Sequence, residues 1–211
     1  LRQMLALREI EPHRVQAVIL ASVVPPLTDV MVDAVRHACA REPLIVGPGM
    51  RTGISVHYEN PKDVGADRIA NSVAGFERAK GGVIVVDFGT AVIFDCVSPK
   101  GEYLGGVIAP GIEVSLDALL ARAAKLTRIE IAEPPTVVGH NTVHALQSGV
   151  VHGFAALVDG LIARIKRELG FECQVLATGT HAALVARHAE SIEQVHEHLT
   201  LEGLRILYER N

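Results

Sequence analysis

The sequence contains no tryptophan, few other aromatic residues and only three cysteines. Aromatic residues make up 4% of the 211 residues and hydrophobic residues 49%, so the core has to be built from aliphatic side chains. Cys39, Cys96 and Cys173 are odd in number and lack CxxC spacing, which is typical of reduced thiols rather than of a disulfide framework. These features predict a cytoplasmic protein with one large α/β domain or two smaller lobes.

The chain also lacks a basic stripe and a long uninterrupted apolar run. Its formal net charge is -4, so we do not expect nucleic acid as a partner. The longest apolar runs are too short to cross a bilayer and no signal-peptide pattern is present, so no membrane segment is expected. Residues 1–7 begin inside a helical pattern without a starting Met or a cap, which predicts that residues upstream of Leu1 are missing.

The first part of the chain alternates predicted strands and helices. Residues 15–24 form an apolar run that Pro25 and Pro26 stop, and a shorter run covers 43–46. Between them, residues 27–41 have a helical pattern, and a further helix opens at 65–68. The predicted stripe of the first helix consists of Leu27, Met31, Ala34 and Ala38. This alternation is typical of a parallel α/β lobe, which we assign to residues 1–80.

A second lobe is predicted over residues 81–211, after the break at Lys80-Gly81-Gly82. Three strands joined by hairpins come first, over 83–88, 91–98 and 103–108. A helix with Ser115 as its N-cap, a long helix over 142–169, a strand over 174–178 and a closing helix over 200–210 follow. This order is that of a ribonuclease-H-like half. Two such lobes would enclose a nucleotide between them, and the last helix could pack back on the first lobe.

The turn between the first two of these strands carries candidate functional groups. An apolar run ends at Asp87, turns through Gly89 and Thr90, and resumes as a second apolar run. We expect Gly89 to adopt the left-handed conformation of a tight hairpin. Backbone N–H groups and a hydroxyl beside a carboxylate suit a phosphate and its cation. An ordinary hairpin, in which Asp87 bonds its own turn, explains the same residues.

Two pairs of histidines are weaker candidates for a functional site, in this case one that binds a metal. His140 and His144 are four residues apart at the start of a helix, and His196 and His198 alternate on a predicted strand. Neither pair has a third ligand at a recognisable spacing, so we do not expect a zinc site.

Eight segments together resemble the type III pantothenate kinase family, in family order and over essentially the whole chain. They are residues 21–27, 58–61 with 64–69, 86–91, 105–111, 139–142, 147–149, 177–179 and 199–204. The resemblance implies the fold of the acetate and sugar kinase, chaperone ATPase and actin superfamily, with two ribonuclease-H-like lobes. It further implies phosphorylation of pantothenate by ATP, a need for Mg²⁺ and a monovalent cation (K⁺ or NH₄⁺), and a homodimer with the pantothenate pocket near the interface.

The resemblance also implies roles for individual residues. Asp67 matches the general base that takes the proton of the pantothenate hydroxyl, although a carboxylate at a helix N-terminus also suits capping. Gly65, Ala66, Asp67 and Arg68 match the pantothenate-holding segment. The alternative for Arg68 is a solvated helix face. Tyr58 would line the same pocket, or simply pack there.

The remaining assignments concern the nucleotide, the cation and the far side of the pocket. Asp87 resembles the monovalent-cation ligand, and Thr90, with Gly89 and Gly179, resembles the contacts to ATP. Thr142 resembles a pantothenate contact, with helix capping as its alternative.

Three departures from the family pattern argue for impaired activity. No Asp-x-Gly-Asn-Thr phosphate loop occurs in residues 1–20, so the first lobe is expected to be truncated. Val92 and Ile93 stand where the family commonly has two threonines. Thr180 and His181 follow Gly179 in place of a glycine and a small or apolar residue, and Thr180 should obstruct the nucleotide. Thr127 replaces a proline and is expected to be harmless.

The expected function is therefore phosphorylation of pantothenate to 4′-phosphopantothenate. A non-catalytic relative similar to Bvg accessory factors is the alternative, favoured by the lost hydroxyl groups. Retention of Asp67, Arg68, Asp87 and Thr90 favours the enzyme. Another kinase of the superfamily is disfavoured, because Tyr58 and the Gly-Ala-Asp-Arg segment occur together.

Overall fold

The computed structural model describes residues 1–123 and 125–211, which form a mixed α/β structure. The helices are α1 (Arg2–Ala6), α2 (Pro25–Cys39), α3 (Ala66–Ala79), α4 (Ile112–Arg122), α5 (Thr142–Leu169), α6 (Ala182–Val185) and α7 (Leu199–Glu209). The strands are β1 (Ile19–Leu20), β2 (Leu44–Ile45), β3 (Ser55–Val56), β4 (Gly82–Phe88), β5 (Ala91–Val97), β6 (Glu102–Pro110), β7 (Cys173–Gly179) and β8 (Gln194–Val195). Short 3₁₀ helices cover Pro12–Arg14 and Pro61–Asp63.

A six-stranded sheet in the order β3-β6-β5-β4-β7-β8 forms the centre of the molecule. Strands β4, β5 and β6 pair antiparallel, whereas β7 runs parallel to β4 and β8 parallel to β7. Strand β4 is apolar along nearly its whole length because helices cover both of its faces. The predicted strands over 83–88, 91–98, 103–108 and 174–178 are confirmed within two residues.

Side-chain alternation along β4 divides the core into two layers. Ile84, Val86 and Phe88 pack on one face with α5, whereas Val83 and Val85 pack on the other with α3 and α7. The second layer contains residues from before and after residue 80, because α3 precedes this point in the chain and α7 follows it. The division of the chain at residue 80 stays a prediction.

The amino-terminal part is less regular than its sequence pattern predicts. A two-residue strand, β1, replaces the strand expected over 15–24, and it pairs in parallel with β2. Helix α2 begins at Pro25 rather than after the prolines, because proline is favourable in the first turn of a helix. The predicted apolar stripe is also wrong. The buried residues of α2 are Val32, Val35 and Cys39, whereas Leu27 and Met31 are exposed.

Three local predictions in the second half are wrong. Helix α4 begins at Ile112, and Ser115 is an interior residue whose N–H donates to the carbonyl of Gly111. Gly89 does not have a positive φ, so the turn after β4 needs no left-handed residue there. His196 follows β8 and His198 is the N-cap residue of α7, so the two histidines do not alternate on a strand.

Helix α5 agrees with its predicted bounds, Thr142–Leu169. By length and composition it could span a membrane, and in the part of the chain that is described it is the one such helix. Its buried residues Val151, Ala155, Val158 and Ile162 pack against the sheet. Core helices of soluble proteins pass the same test, so the expected absence of a membrane segment stays a prediction.

Candidate active site

Two acidic side chains lie on the face of the sheet that α3 covers. Asp87 follows Val83 and Val85 in the alternation of β4, and Asp95 lies opposite Val85 on β5. Directly opposed residues of an antiparallel pair share a face, so both carboxylates point toward α3. On α3, Arg68 and Asn71 are three residues apart and lie on one side of the helix. The helix can therefore reach both carboxylates at once.

Arg68 binds Asp95 in a buried cluster. Its Nε and Nη2 atoms lie 2.9 Å and 2.8 Å from Asp95 Oδ1, and the Tyr103 hydroxyl donates to the same oxygen at 2.8 Å. Burial raises the pKa of Asp95 to about 6, against the opposing effects of Arg68 and Tyr103. Burial, followed by Asp95, also raises the pKa of Tyr103, which therefore remains a donor. Arg68 is buried, so the alternative of a solvated helix face is wrong.

Tyr58 lies at the exposed edge of this cluster. Its ring packs on Tyr103 with centroids 6.2 Å apart, and 38% of the residue remains exposed. A Cβ atom at Gly105, which has a φ of +98°, would lie 3.1 Å from the Tyr58 ring. The glycine thus makes room for the tyrosine beside β6.

Asp67 lies at the start of α3, next to Arg68. Its Oδ1 atom accepts a hydrogen bond from the Arg68 backbone N–H at 2.8 Å, so it does satisfy a free donor of the first turn. Gly65 is the N-cap residue, and a Cβ atom there would lie 2.5 Å from Asp67 Oδ1 and 3.2 Å from a methyl group of Val23. Gly65 therefore keeps the space around this carboxylate open. Ala66 is the first residue of the helix.

Asp87 is held by an amide rather than by its own turn. Asn71 Nδ2 donates to Asp87 Oδ2 at 2.8 Å, and the Thr200 hydroxyl donates to Asn71 Oδ1 at 2.7 Å. The hairpin alternative, in which Asp87 bonds its own turn, is therefore wrong. Burial raises the pKa of Asp87, and the negative charge of Asp67 raises it further.

The groups around Asp87 do not form a zinc-type site in the described part of the chain. Within residues 1–123 and 125–211, no group of three or more His, Cys, Asp or Glu side chains could hold a metal ion. Asp87 offers one carboxylate oxygen that Asn71 does not bind, and Ile93 lies directly opposite it on β5. A hard cation with oxygen ligands could use this oxygen together with water or carbonyl groups.

Gly89, Thr90 and Gly179 lie close together at the end of β4, just beyond Asp87. Gly89 and Thr90 are exposed at the turn, and a Cβ atom at Gly111 would overlap with both of their carbonyl oxygens. Gly179, with a φ of +97°, packs so closely on Phe88 that a Cβ atom would overlap with its backbone. The Thr180 N–H donates to the Phe88 carbonyl at 3.1 Å, and the rest of Thr180 is exposed. Backbone segments from three parts of the chain thus meet at this edge.

Val92 and Ile93 differ in how they relate to this site. Val92 is fully buried in the layer that faces α5, so a hydroxyl there would point into the core. Ile93 shares the face of Asp87. Of the two replaced threonines, only the one at position 93 would place a hydroxyl beside the carboxylate.

A cavity of about 290 Å³ opens beside His181. Its lining includes Glu113, Asp117, Arg128 and His181, and His181 Nε2 lies 3.1 Å from Glu113 Oε1. The sequence did not indicate Glu113. Charged side chains make up much of the lining, and Leu116, Ile129 and Ile131 complete it.

Thr142 is separate from these groups. It is the first residue of α5, and the cap is its neighbour Asn141, whose side chain accepts from the His144 N–H at 2.9 Å. The capping alternative for Thr142 is therefore wrong. Among the hydrogen bonds of the described residues, none joins Thr142 to Asp67, Arg68 or Asp87.

Four residues of the site were missed: Asn71, Asp95, Tyr103 and Thr200. Asp95 could have been noticed as a charged residue within an apolar strand, and Asn71 as a polar residue between Ile69 and Val73 on the buried face of α3. Nothing local indicates that Thr200 reaches Asn71.

Comparison with a solved structure first defines the class of protein. A Baf family protein from Campylobacter jejuni superposes with a TM-score of 0.62 over 96% of this chain and 87% of that one, at 19% sequence identity. The chain thus shares the mixed α/β fold of that protein, whereas its division into two ribonuclease-H-like lobes stays a prediction.

Sequence comparison then defines the family. The sequence model of type III pantothenate kinase matches residues 1–164. Proteins with that name from Myxococcus xanthus and Moorella thermoacetica are 53% and 50% identical to this chain, and the matches cover all of it and 82% and 83% of theirs. The chain belongs to the type III pantothenate kinase family.

Proposed function

We propose that this chain transfers the γ-phosphoryl group of ATP to the terminal hydroxyl of pantothenate, which gives 4′-phosphopantothenate, the first step of coenzyme A biosynthesis. The observation that carries the proposal is the position of Asp67 beside an arginine that is fixed by a buried carboxylate. The relatives at about half identity carry the kinase name, so the alternative of a binding or regulatory protein is not favoured.

Asp67 acts as the general base. Its Oδ1 atom is bound to the Arg68 N–H, so Oδ2 receives the proton of the pantothenate hydroxyl. As that oxygen bonds to the γ-phosphorus, the bond from phosphorus to the bridging oxygen breaks and ADP leaves. Phosphoryl transfer depends mainly on positioning and on stabilisation of charge, so a weak base in the right place is sufficient.

Arg68 and Tyr58 hold the substrate. Asp95 fixes the guanidinium through Nε and Nη2, which leaves Nη1 to donate to an oxygen of pantothenate. Tyr58 borders the same space and offers both a ring face and a hydroxyl. Gly65 and Ala66 form the wall next to Asp67.

Gly89, Thr90 and Gly179 bind the phosphates of ATP. The turn presents exposed backbone and the Thr90 hydroxyl, and the glycines permit the close packing of backbone that shapes this edge. Mg²⁺ on the phosphates and K⁺ or NH₄⁺ at Asp87 would supply positive charge to the transferred group.

We also propose a homodimer in which Thr142 of one subunit contacts pantothenate near the interface. The region around the start of α5 supports this proposal, because Val137 and Val138 before the helix and Val143 in its first turn are exposed, with Val138 at 73%. Cytoplasmic localisation, without nucleic-acid or membrane partners, remains part of the proposal.

The test is a product assay with the full-length protein. ATP, Mg²⁺ and pantothenate are incubated with and without KCl, and mass spectrometry and ³¹P NMR identify the product. The proposal predicts a phosphomonoester on the terminal hydroxyl, formed faster with K⁺ than with Na⁺. Absence of phosphopantothenate under every salt condition would refute it.

A further inference from the structure

The segment 199–204 forms the first part of α7, and the proposed mechanism gives it no role. Helix α7 lies on α3. A Cβ atom at Gly203 would overlap with the carbonyl oxygen of Ala70, so the two helices are in backbone contact at this point. Leu199 and Leu207 are fully buried in the layer that α3 shares with the sheet. These contacts fix the position of α7 along α3. Thr200, the residue after Leu199, therefore has a defined neighbour on α3.

That neighbour is Asn71. The Thr200 hydroxyl donates to Asn71 Oδ1 at 2.7 Å, and Asn71 Nδ2 donates to Asp87 Oδ2 at 2.8 Å. A side-chain amide could be turned either way, and only one orientation presents N–H to the carboxylate. Because the carboxylate of Asp87 only accepts hydrogen bonds, the amide nitrogen faces it and the amide oxygen faces Thr200, whose hydroxyl donates to that oxygen and holds the amide in place. Asn71 is 1% exposed, so water does not substitute easily for either partner.

We propose that Thr200 is a positioning residue for the monovalent-cation site, acting on Asp87 through Asn71. The chain of two hydrogen bonds holds Asp87 Oδ2 and leaves Oδ1 free for the cation. This inference rests on the proposed function, because it takes the cation site at Asp87 from there. It gives α7 a task in the reaction that is exerted through α3.

Two variants of Thr200 test the proposal. Thr200→Val removes the hydroxyl while it retains the branched shape, and Thr200→Ser retains the hydroxyl. We expect Thr200→Val to raise the K⁺ concentration for half-maximal activity about three- to tenfold, the effect of one lost hydrogen bond. The KM for pantothenate and the kcat at saturating K⁺ should stay near the wild-type values, and Thr200→Ser should behave like the wild type.

A second readout does not depend on turnover. K⁺ should raise the Tm of the wild type, and the K⁺ concentration that produces half of this shift should increase for Thr200→Val in parallel with the kinetic constant. If Thr200→Val does not fold, Thr200→Ala provides the same measurement. A variant without the hydroxyl that keeps the wild-type K⁺ dependence in both readouts overturns the role of Thr200 and leaves the kinase proposal intact. A wild-type protein whose activity and Tm ignore K⁺ overturns the cation site and this inference with it.

Discussion

Arg68 and Asp95 form a buried ion pair in which two guanidinium nitrogens share one carboxylate oxygen, at 2.9 Å from Nε and 2.8 Å from Nη2. Asp95 is 1% exposed, and the Tyr103 hydroxyl completes the group. Asp95 thus determines where the substrate-holding arginine points, although it lies 27 residues further along the chain.

Removing Asp95 should reduce both stability and substrate affinity. Asp95→Ala leaves a buried guanidinium without its counter-ion, which costs about 3–5 kcal/mol of unfolding free energy. It also frees Arg68 to move, so the KM for pantothenate should rise. Urea denaturation and steady-state kinetics measure the two effects. Asp33→Ala, which breaks an exposed pair with Arg36, should cost less than about 1 kcal/mol. Equal losses for the two variants would contradict the buried pair.

The raised pKa of Asp95 predicts a pH effect of known sign. Its pKa is about 6 in the folded protein, against 3.8 as the ordinary value, because the group is buried. Between about pH 4 and pH 6 the carboxyl group of Asp95 therefore keeps its proton in the folded protein but has released it in the unfolded protein. The stability that comes from Asp95 consequently falls as the pH rises from about 4 through 6.

The difference in unfolding free energy between the wild type and Asp95→Asn isolates this effect, since other groups titrate in both proteins. The difference should shrink with rising pH over that window. The KM for pantothenate should rise as the pH falls below 6, because protonated Asp95 holds Arg68 less firmly. A difference in unfolding free energy that is constant between pH 4 and 7 would exclude the raised pKa.

Gly65→Ala tests the space around Asp67. The added Cβ would lie 2.5 Å from Asp67 Oδ1, so the carboxylate has to move. A displacement of this kind should lower kcat by about tenfold or more, because phosphoryl transfer depends on positioning. The matched control is Gly47→Ala, since nothing lies within 4 Å of a Cβ atom at Gly47. Unchanged kcat in Gly65→Ala would show that the close contact does not fix the base.

Ile93→Thr and Val92→Thr separate the two positions that depart from the family pattern. Ile93 lies opposite Asp87, so a hydroxyl there should add an oxygen beside the cation site and lower the half-saturating K⁺ concentration about threefold. Val92 faces the core under α5, so Val92→Thr should cost about 1–3 kcal/mol of stability and leave the K⁺ dependence unchanged. If Val92→Thr rather than Ile93→Thr changed the K⁺ dependence, Val92 and not Ile93 would share the face of Asp87, which would contradict the observed register of β4 and β5.

Local patterns in the sequence were sufficient for β4, β5, β6, β7 and α5, because each is set by alternation or helical period and by nearby turns, whereas the two-residue edge strands β3 and β8 were not predicted. The local pattern also singled out Asp87, whereas Asp67 and Arg68 were assigned through the family resemblance. The partners of these residues come from distant segments. Thr200 and Asn71 are 129 residues apart, and only the packing of α7 on α3 brings them together. The start of α2 was misplaced because its prolines were interpreted as a stop rather than as a first turn.

The role of Asp67 is tested most directly by the kcat of Asp67→Asn in the full-length protein. The substitution preserves size and can still accept the Arg68 N–H, so the fold should remain, with a Tm equal to that of the wild type. Asp29→Asn makes the same change on the exposed face of α2 and serves as the control. We predict that kcat falls by about 10²–10⁴ in Asp67→Asn and is unchanged in Asp29→Asn. Equal kcat values for the two variants would contradict Asp67 as the base.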